Sequence, residues 1–335
     1  MTAPISTGII GTGGFGTFFG EQLAEVEAAS IAAIADVSEE NRNRAGDQFG
    51  VPAKSRYEDY EEMLAEADID AVVISTPHTL HYEMITAAMD AGLHVMCEKP
   101  LTTDLGHAKD LVRRADERDT ILMVGYQRHL SPAFMLARDE LAGSEPKFIT
   151  AEITQNWLAA TGGTWRHDPD LSGGGQLYDT GSHLVDAVLW TTGLVPDSVS
   201  AEMVYEDEAE RVDIQAVLNV TFENGCVASL SVSGDSPRVS EHIRLWSDDG
   251  GVRIDGTDWD EREVSVVEPD GTEVSPSTEG VENRNRAEAF IDAIVHGETP
   301  PATARDALAV TAVTEAAYES ARTGERVSVD LDISE

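Results

Sequence analysis

The chain is predicted to be an α/β protein. A doubly wound parallel sheet comes first, followed by an α+β domain with a large open, mainly antiparallel sheet. Three observations predict this. Short, wholly apolar runs alternate with amphipathic stretches over about the first 125 residues. A glycine-rich turn, Gly11-Thr12-Gly13-Gly14-Phe15-Gly16, follows the first of those runs. Beyond Pro132 the apolar residues fall on every second position, the period of strands with one buried face.

The apolar runs are Ile5–Ile10, Ile31–Ala35, Ala71–Ser75, Leu93–Cys97 and Ile121–Val124. A run apolar on both faces reads as a strand covered on both sides. Helical patterns lie between them, over Phe15–Ala28, Ser38–Phe49, Tyr57–Ala67, Thr79–Ala91 and Asp104–Asp119. Strand-helix alternation implies crossover helices on a parallel sheet. After a helix over about Pro132–Ala142, Val212, Ile214, Ala216, Leu218 and Val220 share one strand face, with Asp213, Gln215, Asn219 and Thr221 on the other. Asn224-Gly225 turns the chain, and Cys226, Ala228, Leu230 and Val232 resume the alternation. His242–Trp246, Gly251–Ile254 and Glu263–Val267 are further strands, and helices over Glu282–His296 and Thr303–Thr323 end at Gly297 and Gly324. The domains are accordingly 1–125 and 126–335.

With 335 residues, 41% of them hydrophobic, the chain has material for two cores. No stretch approaches the ~20 apolar residues that span a bilayer. The first strand starts at Ile5, so no leader peptide is expected. Cys97 and Cys226 lack metal or redox spacing, which fits a reducing cytoplasm. The formal charge is −39, from 23 basic and 62 acidic residues. Such a surface repels nucleic acid and anionic membrane, and both are excluded as partners. The acids are scattered along helix faces, as in Glu58-Asp59-Tyr60-Glu61-Glu62. The pattern resembles cytoplasmic proteins of salt-accumulating halophiles, in which molar salt shortens the Debye length to ~3 Å.

Cys97-Glu98-Lys99-Pro100 is the most informative segment. A Glu-Lys pair at the carboxyl end of a buried strand is poor packing material, and ligands of open α/β sheets bind beyond those ends. Lys99 is one of only four lysines. The glycine turn matches the dinucleotide fingerprint in its required context, after a strand and opening a helix. Its glycines admit a pyrophosphate to the helix N-terminus. Asp36 ends the second strand about 20 residues further on, where a carboxylate takes the ribose hydroxyls. Its charge favours NAD over NADP, while Arg42 or Arg44 offers a rival site for a 2′-phosphate.

Ser75-Thr76-Pro77-His78-Thr79-Leu80-His81 forms a loop at a third strand end, with Thr79 read as a helix N-cap. No carboxylate or cysteine completes a metal site around His78 and His81, so none is expected. A second cluster runs from Ser172 through Gly173-Gly174-Gly175-Gln176-Leu177-Tyr178-Asp179 to His183 and Asp186. Asp179 and His183 are four residues apart and share a face if one helix carries both. Trp157, Trp165, Arg166 and Tyr126 are read equally as sugar contacts and as packing.

Together these motifs resemble the glucose–fructose oxidoreductase/inositol dehydrogenase (Gfo/Idh/MocA) family over nearly the whole chain. The resemblance rests on the fingerprint, the Ser-Thr-Pro loop and Glu98-Lys99-Pro100. It also rests on Gly125-Tyr126-Gln127-Arg128, the Gly173–Asp186 signature and the ending Ala317-Tyr318-Glu319-Ser320-Ala321-Arg322-Thr323-Gly324. It implies that 1–125 is an NAD(P)-binding Rossmann domain and that 126–335 binds substrate on a large open sheet through which a homodimer or homotetramer is built. It implies hydride transfer between the nicotinamide and a hydroxyl or keto carbon of a sugar or polyol. Lys99, Asp179 and His183 map onto the catalytic positions. Gly11, Gly13, Gly14, Phe15, Gly16, Asp36, Ser75, Thr76, Pro77, His78, His81, Glu98, Lys99, Gln127, Trp165 and Arg166 map to cofactor contacts. Lys99, Tyr126, Arg128, Trp157, Asp179 and His183 map to substrate contacts. His78, where the family usually has asparagine, and His129, after Arg128, depart from the pattern. The alternatives are a dinucleotide-binding sensor without turnover, or a keto-sugar or dihydrodiol enzyme of the same family.

Overall fold

The computed structural model describes residues 3–206, 209–259 and 262–334, which form two compact units. The first unit holds residues 1–102, 106–125 and 284–305. Its chain runs β1 (Ile5–Ile10), α1 (Gly14–Ala24), β2 (Ala29–Ala35), α2 (Glu39–Gln48), β3 (Arg56–Tyr57), α3 (Tyr60–Glu66), β4 (Ala71–Ile74), α4 (His81–Asp90), β5 (His94–Cys97), α5 (Leu105–Asp116) and β6 (Leu122–Val124). The six strands lie in the order β3-β2-β1-β4-β5-β6, all parallel. Strand order reverses between β1 and β4, so the loops leaving these two strands flank the crevice where such sheets bind ligands. Val72, Val73, Val95, Met96 and Ile9 are completely buried, as expected of strands covered by helices on both faces.

Two details differ from the sequence reading. The short β3 pairs with the end of β2 at Ile34↔Arg56 and Ala35↔Tyr57. Two residues are too few to show any periodicity. Thr79 is not an N-cap: His78–Leu80 form a 3-10 turn, and α4 begins at His81 with Leu80 as its uncapped neighbour.

The second unit holds residues 103–105, 126–283 and 306–335. After a 3-10 turn at Gln127–Leu130 come α6 (Pro132–Glu140), β7 (Phe148–Thr154), α7 (Trp157–Thr161) and α8 (Pro169–Ser172). A π-helical turn, Leu177–Gly181, then runs directly into α9 (Ser182–Thr192). The strands β8 (Pro196–Tyr205), β9 (Asp213–Phe222), β10 (Val227–Ser233), β11 (Ser240–Ser247), β12 (Gly250–Thr257), β13 (Glu263–Val267) and β14 (Glu273–Val274) follow. The chain closes with α10 (Arg286–His296), α11 (Ala304–Thr323) and β15 (Val327–Ser328). Among the described residues the sheet has nine strands, ordered β14-β13-β12-β11-β7-β10-β9-β8-β15. Every neighbouring pair is antiparallel except β7 with β10. Ala216, Leu218, Val220, Ala228, Leu230 and Val232 are buried, while Val217, Asn219 and Val227 between them are exposed. The period-two pattern thus selects the covered face.

The chain does not divide at one point. Residues 284–305 return to the first unit, where α10 packs on α1. There Arg286 Nη1 donates to Glu98 Oε1 at 2.5 Å, and Val124 N donates to Ala302 O at 3.0 Å. A linear reading that places everything after residue 125 in one domain misses this return, because nothing in local periodicity records which unit a helix packs against.

Candidate active site and cofactor site

In the first unit the fingerprint glycines have separate jobs. Gly11 has φ +85°, and a Cβ there would lie 2.4 Å from Ser75 O. A Cβ on Gly16 would lie 1.9 Å from Gly11 O. These two glycines make the turn tight and bring α1 against it. A Cβ on Gly13 or Gly14 would meet nothing within 4 Å. The open side of the turn is therefore at the helix start, where Gly13 is the N-cap and supplies no side-chain cap to the first-turn amides. Open space, amide donors and the positive end of an 11-residue helix are what a pyrophosphate requires. The residues present fit a dinucleotide.

Asp36 is bound into the same corner. Its Oδ2 accepts from Thr12 N at 2.7 Å and from Thr12 Oγ1 at 3.1 Å. Its Oδ1 accepts from Ser38 N at 2.8 Å. A carboxylate offers about four acceptor sites, so a ribose hydroxyl still finds one. Two guanidinium groups brace the corner: Arg42 Nη1 donates to Asp36 O at 2.5 Å and Arg44 Nη2 to Thr12 O at 3.0 Å.

The Glu98-Lys99 pair stands just past β5. Glu98 N donates to Ile74 O at 2.9 Å, and Gly125 N donates to Cys97 O at 2.8 Å. The strand end is therefore held from both sides. Glu98 is buried, with its carboxylate on Arg286. Lys99 is half-buried, and Pro100 follows it in a cis peptide. Burial pushes the neighbouring Cys97 thiol well up, so it is no nucleophile at neutral pH. His81 is completely buried, with Nδ1 2.8 Å from Pro100 O and Nε2 3.0 Å from Thr76 O. Both ring nitrogens face backbone carbonyls, and a neutral imidazole, with one N–H, donates to one of them at a time. The ring staples the Ser75–Pro77 loop to the Lys99–Pro100 segment, which differs from the ligand contact the sequence suggested. Burial lowers its pKa, against the raising effect of these two carbonyls. His78 is buried, its ring 6.0 Å from that of His81. Among the described residues no group of three or more His, Cys, Asp or Glu is arranged to hold a metal ion.

In the second unit the glycine cluster leads into the π-turn. Asp179 lies in this turn and His183 in the first turn of α9, both nearly buried. Such π-turns widen a helix locally and occur often at functional sites. Gly181 lets the segment approach the sheet: a Cβ there would lie 3.1 Å from Val232 Cγ2. Asp179 Oδ2 accepts from Trp157 Nε1 and from Arg166 Nε, each at 2.8 Å. The Arg166 guanidinium also lies over the Trp165 ring at 4.5 Å. His167 stacks on Trp157 with centroids 4.5 Å apart. The His183 ring meets the buried Tyr126 ring edge-on, with centroids 6.2 Å apart.

Other expected contacts lie elsewhere within this unit. Arg128 is buried and donates through Nε and Nη2 to Glu241 Oε1 at 3.1 and 2.9 Å, and through Nη2 to Oε2 at 2.8 Å. Arg262 Nε reaches Glu241 Oε2 at 2.6 Å. Arg128 thus ties its 3-10 turn to β11. Gln127 is exposed. His129 Nε2 lies 2.9 Å from Asp186 Oδ1, both fully buried, and its ring stacks on Trp190 at 4.4 Å. Burial raises the Asp186 pKa, and His129 opposes the rise. The partners Arg286, Glu241 and Asp213 escaped the sequence reading. None of the three carried a local signal: Asp213 alternates with apolar neighbours as a solvent-facing strand residue does.

Comparison with known proteins identifies the class. Residues 5–126 match the family model described as an oxidoreductase family with an NAD-binding Rossmann fold, and residues 140–257 match the GFO/IDH/MocA C-terminal domain. A D-xylose 1-dehydrogenase (NADP(+)) of Haloferax volcanii is 30% identical over 330 residues, covering 96% of this chain and 99% of that protein. A D-xylose 1-dehydrogenase [NADP(+)] of Haloarcula marismortui is 25% identical, covering 98% and 94%. The crystal structure of an aldose-aldose oxidoreductase from Caulobacter crescentus shares the fold, with a TM-score of 0.84 at 23% identity over 97% of this chain and 99% of that one. The chain belongs to the Gfo/Idh/MocA family of NAD(P)-dependent oxidoreductases.

Proposed function

We propose that this protein is a sugar or polyol dehydrogenase acting on a CH–OH group of a neutral substrate, an aldose such as a pentose foremost. The observation that carries the reading is the Asp179–Arg166 pair. Its carboxylate charge is balanced by a guanidinium at 2.8 Å, which suits recognition of hydroxyl groups rather than of an anionic substrate. The full-length similarity to two xylose dehydrogenases supports the same choice. A bound nicotinamide supplies the hydride acceptor or donor. In this reading His183 takes the hydroxyl proton as general base. Lys99 donates a hydrogen bond to the reacting oxygen and stabilises its developing negative charge. Asp179 holds a neighbouring hydroxyl, and Trp157 and Arg166 hold Asp179. In the cofactor corner, Asp36 favours the 2′-hydroxyl of NAD, and Arg44 is the cation for a 2′-phosphate. Two further expectations belong to the same proposal: a homodimer or homotetramer through the nine-stranded sheet, and a cytoplasmic, salt-rich setting.

The test is reduction of NAD and NADP in molar KCl with xylose, glucose, galactose and inositols. Turnover with at least one aldose is expected. Tight nucleotide binding with no reduction across the panel would replace the dehydrogenase with a sensor. Substituting Arg44→Ala is expected to lower NADP use about tenfold more than NAD use, and Asp36→Ala to shift the ratio towards NADP. Equal effects on both cofactors would remove Arg44 from the phosphate role.

A further inference from the structure

The triple glycine docks on the interior of its own unit. A Cβ on Gly174 would lie 2.4 Å from the Tyr318 hydroxyl, and one on Gly175 would lie 2.0 Å from Asp213 O. Asp213 breaks the pattern of its strand. The alternation places it on the polar face of β9, yet it is completely buried. The cause is a bulge: Tyr205 pairs with Asp213 and Val204 with Gln215, so Ile214 is an extra residue in β9. Bulges re-aim side chains in this way and cluster beside active sites.

The re-aimed carboxylate meets several donors. Asp213 Oδ1 accepts from Gly175 N at 2.9 Å and from the Tyr318 hydroxyl, and Oδ2 accepts from Leu177 N at 2.8 Å. Gly175 N also reaches the Tyr318 oxygen at 3.2 Å. The Tyr318 ring stacks on Tyr178, centroids 5.0 Å apart, immediately before Asp179. The Tyr178 hydroxyl lies 3.2 Å from Thr103 O and 3.3 Å from Glu315 Oε1, with one proton to share between these acceptors. No side chain of the segment itself caps the π-turn. Its leading amides are instead capped from β9 and α11.

We infer that Asp213 and Tyr318 are positioning residues for the reaction, a cap supplied from the sheet that sets the position of the turn carrying Asp179 and, one turn later, His183. A carboxylate accepting backbone N–H bonds at a helix start acts as an N-cap does, and here the bulge and α11 deliver it across the fold. A displacement of about 1 Å in such a segment can cost a hundredfold in rate. The groups facing Asp213 are Tyr318 from α11, Tyr178 from the π-turn and Tyr205 from β8. Burial raises its pKa, and the hydrogen bonds from Tyr318, Leu177 and Gly175 oppose the rise. Removing the tyrosine hydroxyl therefore moves its protonation to higher pH.

The inference takes its kinetic readout from the dehydrogenase reading and its structural readout from the fold alone. The test compares the full-length protein with Tyr318→Phe, which keeps the ring, and with Asp213→Asn, in molar KCl. Tyr318→Phe is expected to lower kcat about tenfold and to leave the KM for the cofactor unchanged. The acid limb of its pH profile shifts upward. Amide hydrogen exchange over 173–181 quickens in both variants, and Tyr318→Phe retains a cooperative melt. Wild-type kcat, pH profile and exchange in Tyr318→Phe would overturn the inference. If the unmodified protein reduces no cofactor with any sugar, the dehydrogenase reading falls, and the exchange comparison alone decides whether the cap holds the turn.

Discussion

Lys99 and His183 are candidates from their neighbours in sequence; Lys99 follows a buried strand end and His183 lies in the first turn of α9. Lys99 follows a strand end held on both sides by backbone bonds, so its backbone is anchored and its side chain half-buried. Replacing Lys99→Met keeps the aliphatic stem and removes the ammonium. Turnover is expected to fall by roughly 10²–10³, the usual loss for one donor to a developing oxyanion, while cofactor titration by fluorescence stays unchanged. A normal kcat would exclude the role. The glycines make a second comparison. Gly16→Ala places a Cβ 1.9 Å from Gly11 O, whereas Gly13→Ala meets nothing. The first is expected to destabilise by about 1–3 kcal/mol through overpacking. The second should leave the melting temperature within a degree or two and weaken cofactor binding severalfold. Reversed outcomes would exchange the packing and ligand-facing roles of these glycines.

Single side chains join elements that sequence reading treats apart. His81, at the start of α4, holds the loop after β4 to the segment after β5. Its folded pKa is below the ordinary 6.5, so below about pH 6.5 the unfolded chain binds a proton that the folded chain refuses. Stability rises with pH wherever the unfolded state binds more protons, and is lost as pH falls through that window. Asp186 and Asp213 have raised values and act in the opposite sense, but they are common to wild type and variant. Between pH 7.5 and 5.5 the wild type should therefore lose more stability than His81→Asn. Parallel denaturation curves for the two proteins would refute a neutral, buried His81. The π-turn and α9 give a similar lesson. The spacing of Asp179 and His183 left open whether one helix carries both; the fold puts Asp179 in the π-turn and His183 in α9 and adds the Asp213–Tyr318 cap.

For the whole molecule, a formal charge of −39 sets conditions for every other measurement. Lowering salt from 1 M to 0.1 M lengthens the Debye length from ~3 to ~10 Å, and repulsion among surface carboxylates then opposes the compact state. The melting temperature is expected to rise steadily with KCl over that range. A flat profile would mean that local ion pairs such as Arg118–Asp90 and Arg244–Asp255 already neutralise the surface.

The sequence by itself determined the parallel sheet, the covered face of the second sheet, the dinucleotide turn with Asp36, and the candidates Lys99, Asp179 and His183. The sheets rest on runs and periods that a strand must display whatever surrounds it, and the site candidates on short motifs and the family resemblance those motifs carry. Tertiary structure decided what spacing does not encode. It returned 284–305 to the first unit, paired Arg128 with Glu241 and Arg286 with Glu98, and turned Asp213 inward under the glycine segment. In each case a buried charge is set by a partner more than 30 residues away, because a charged group taken out of water needs a counter-charge or donors wherever the fold can supply them.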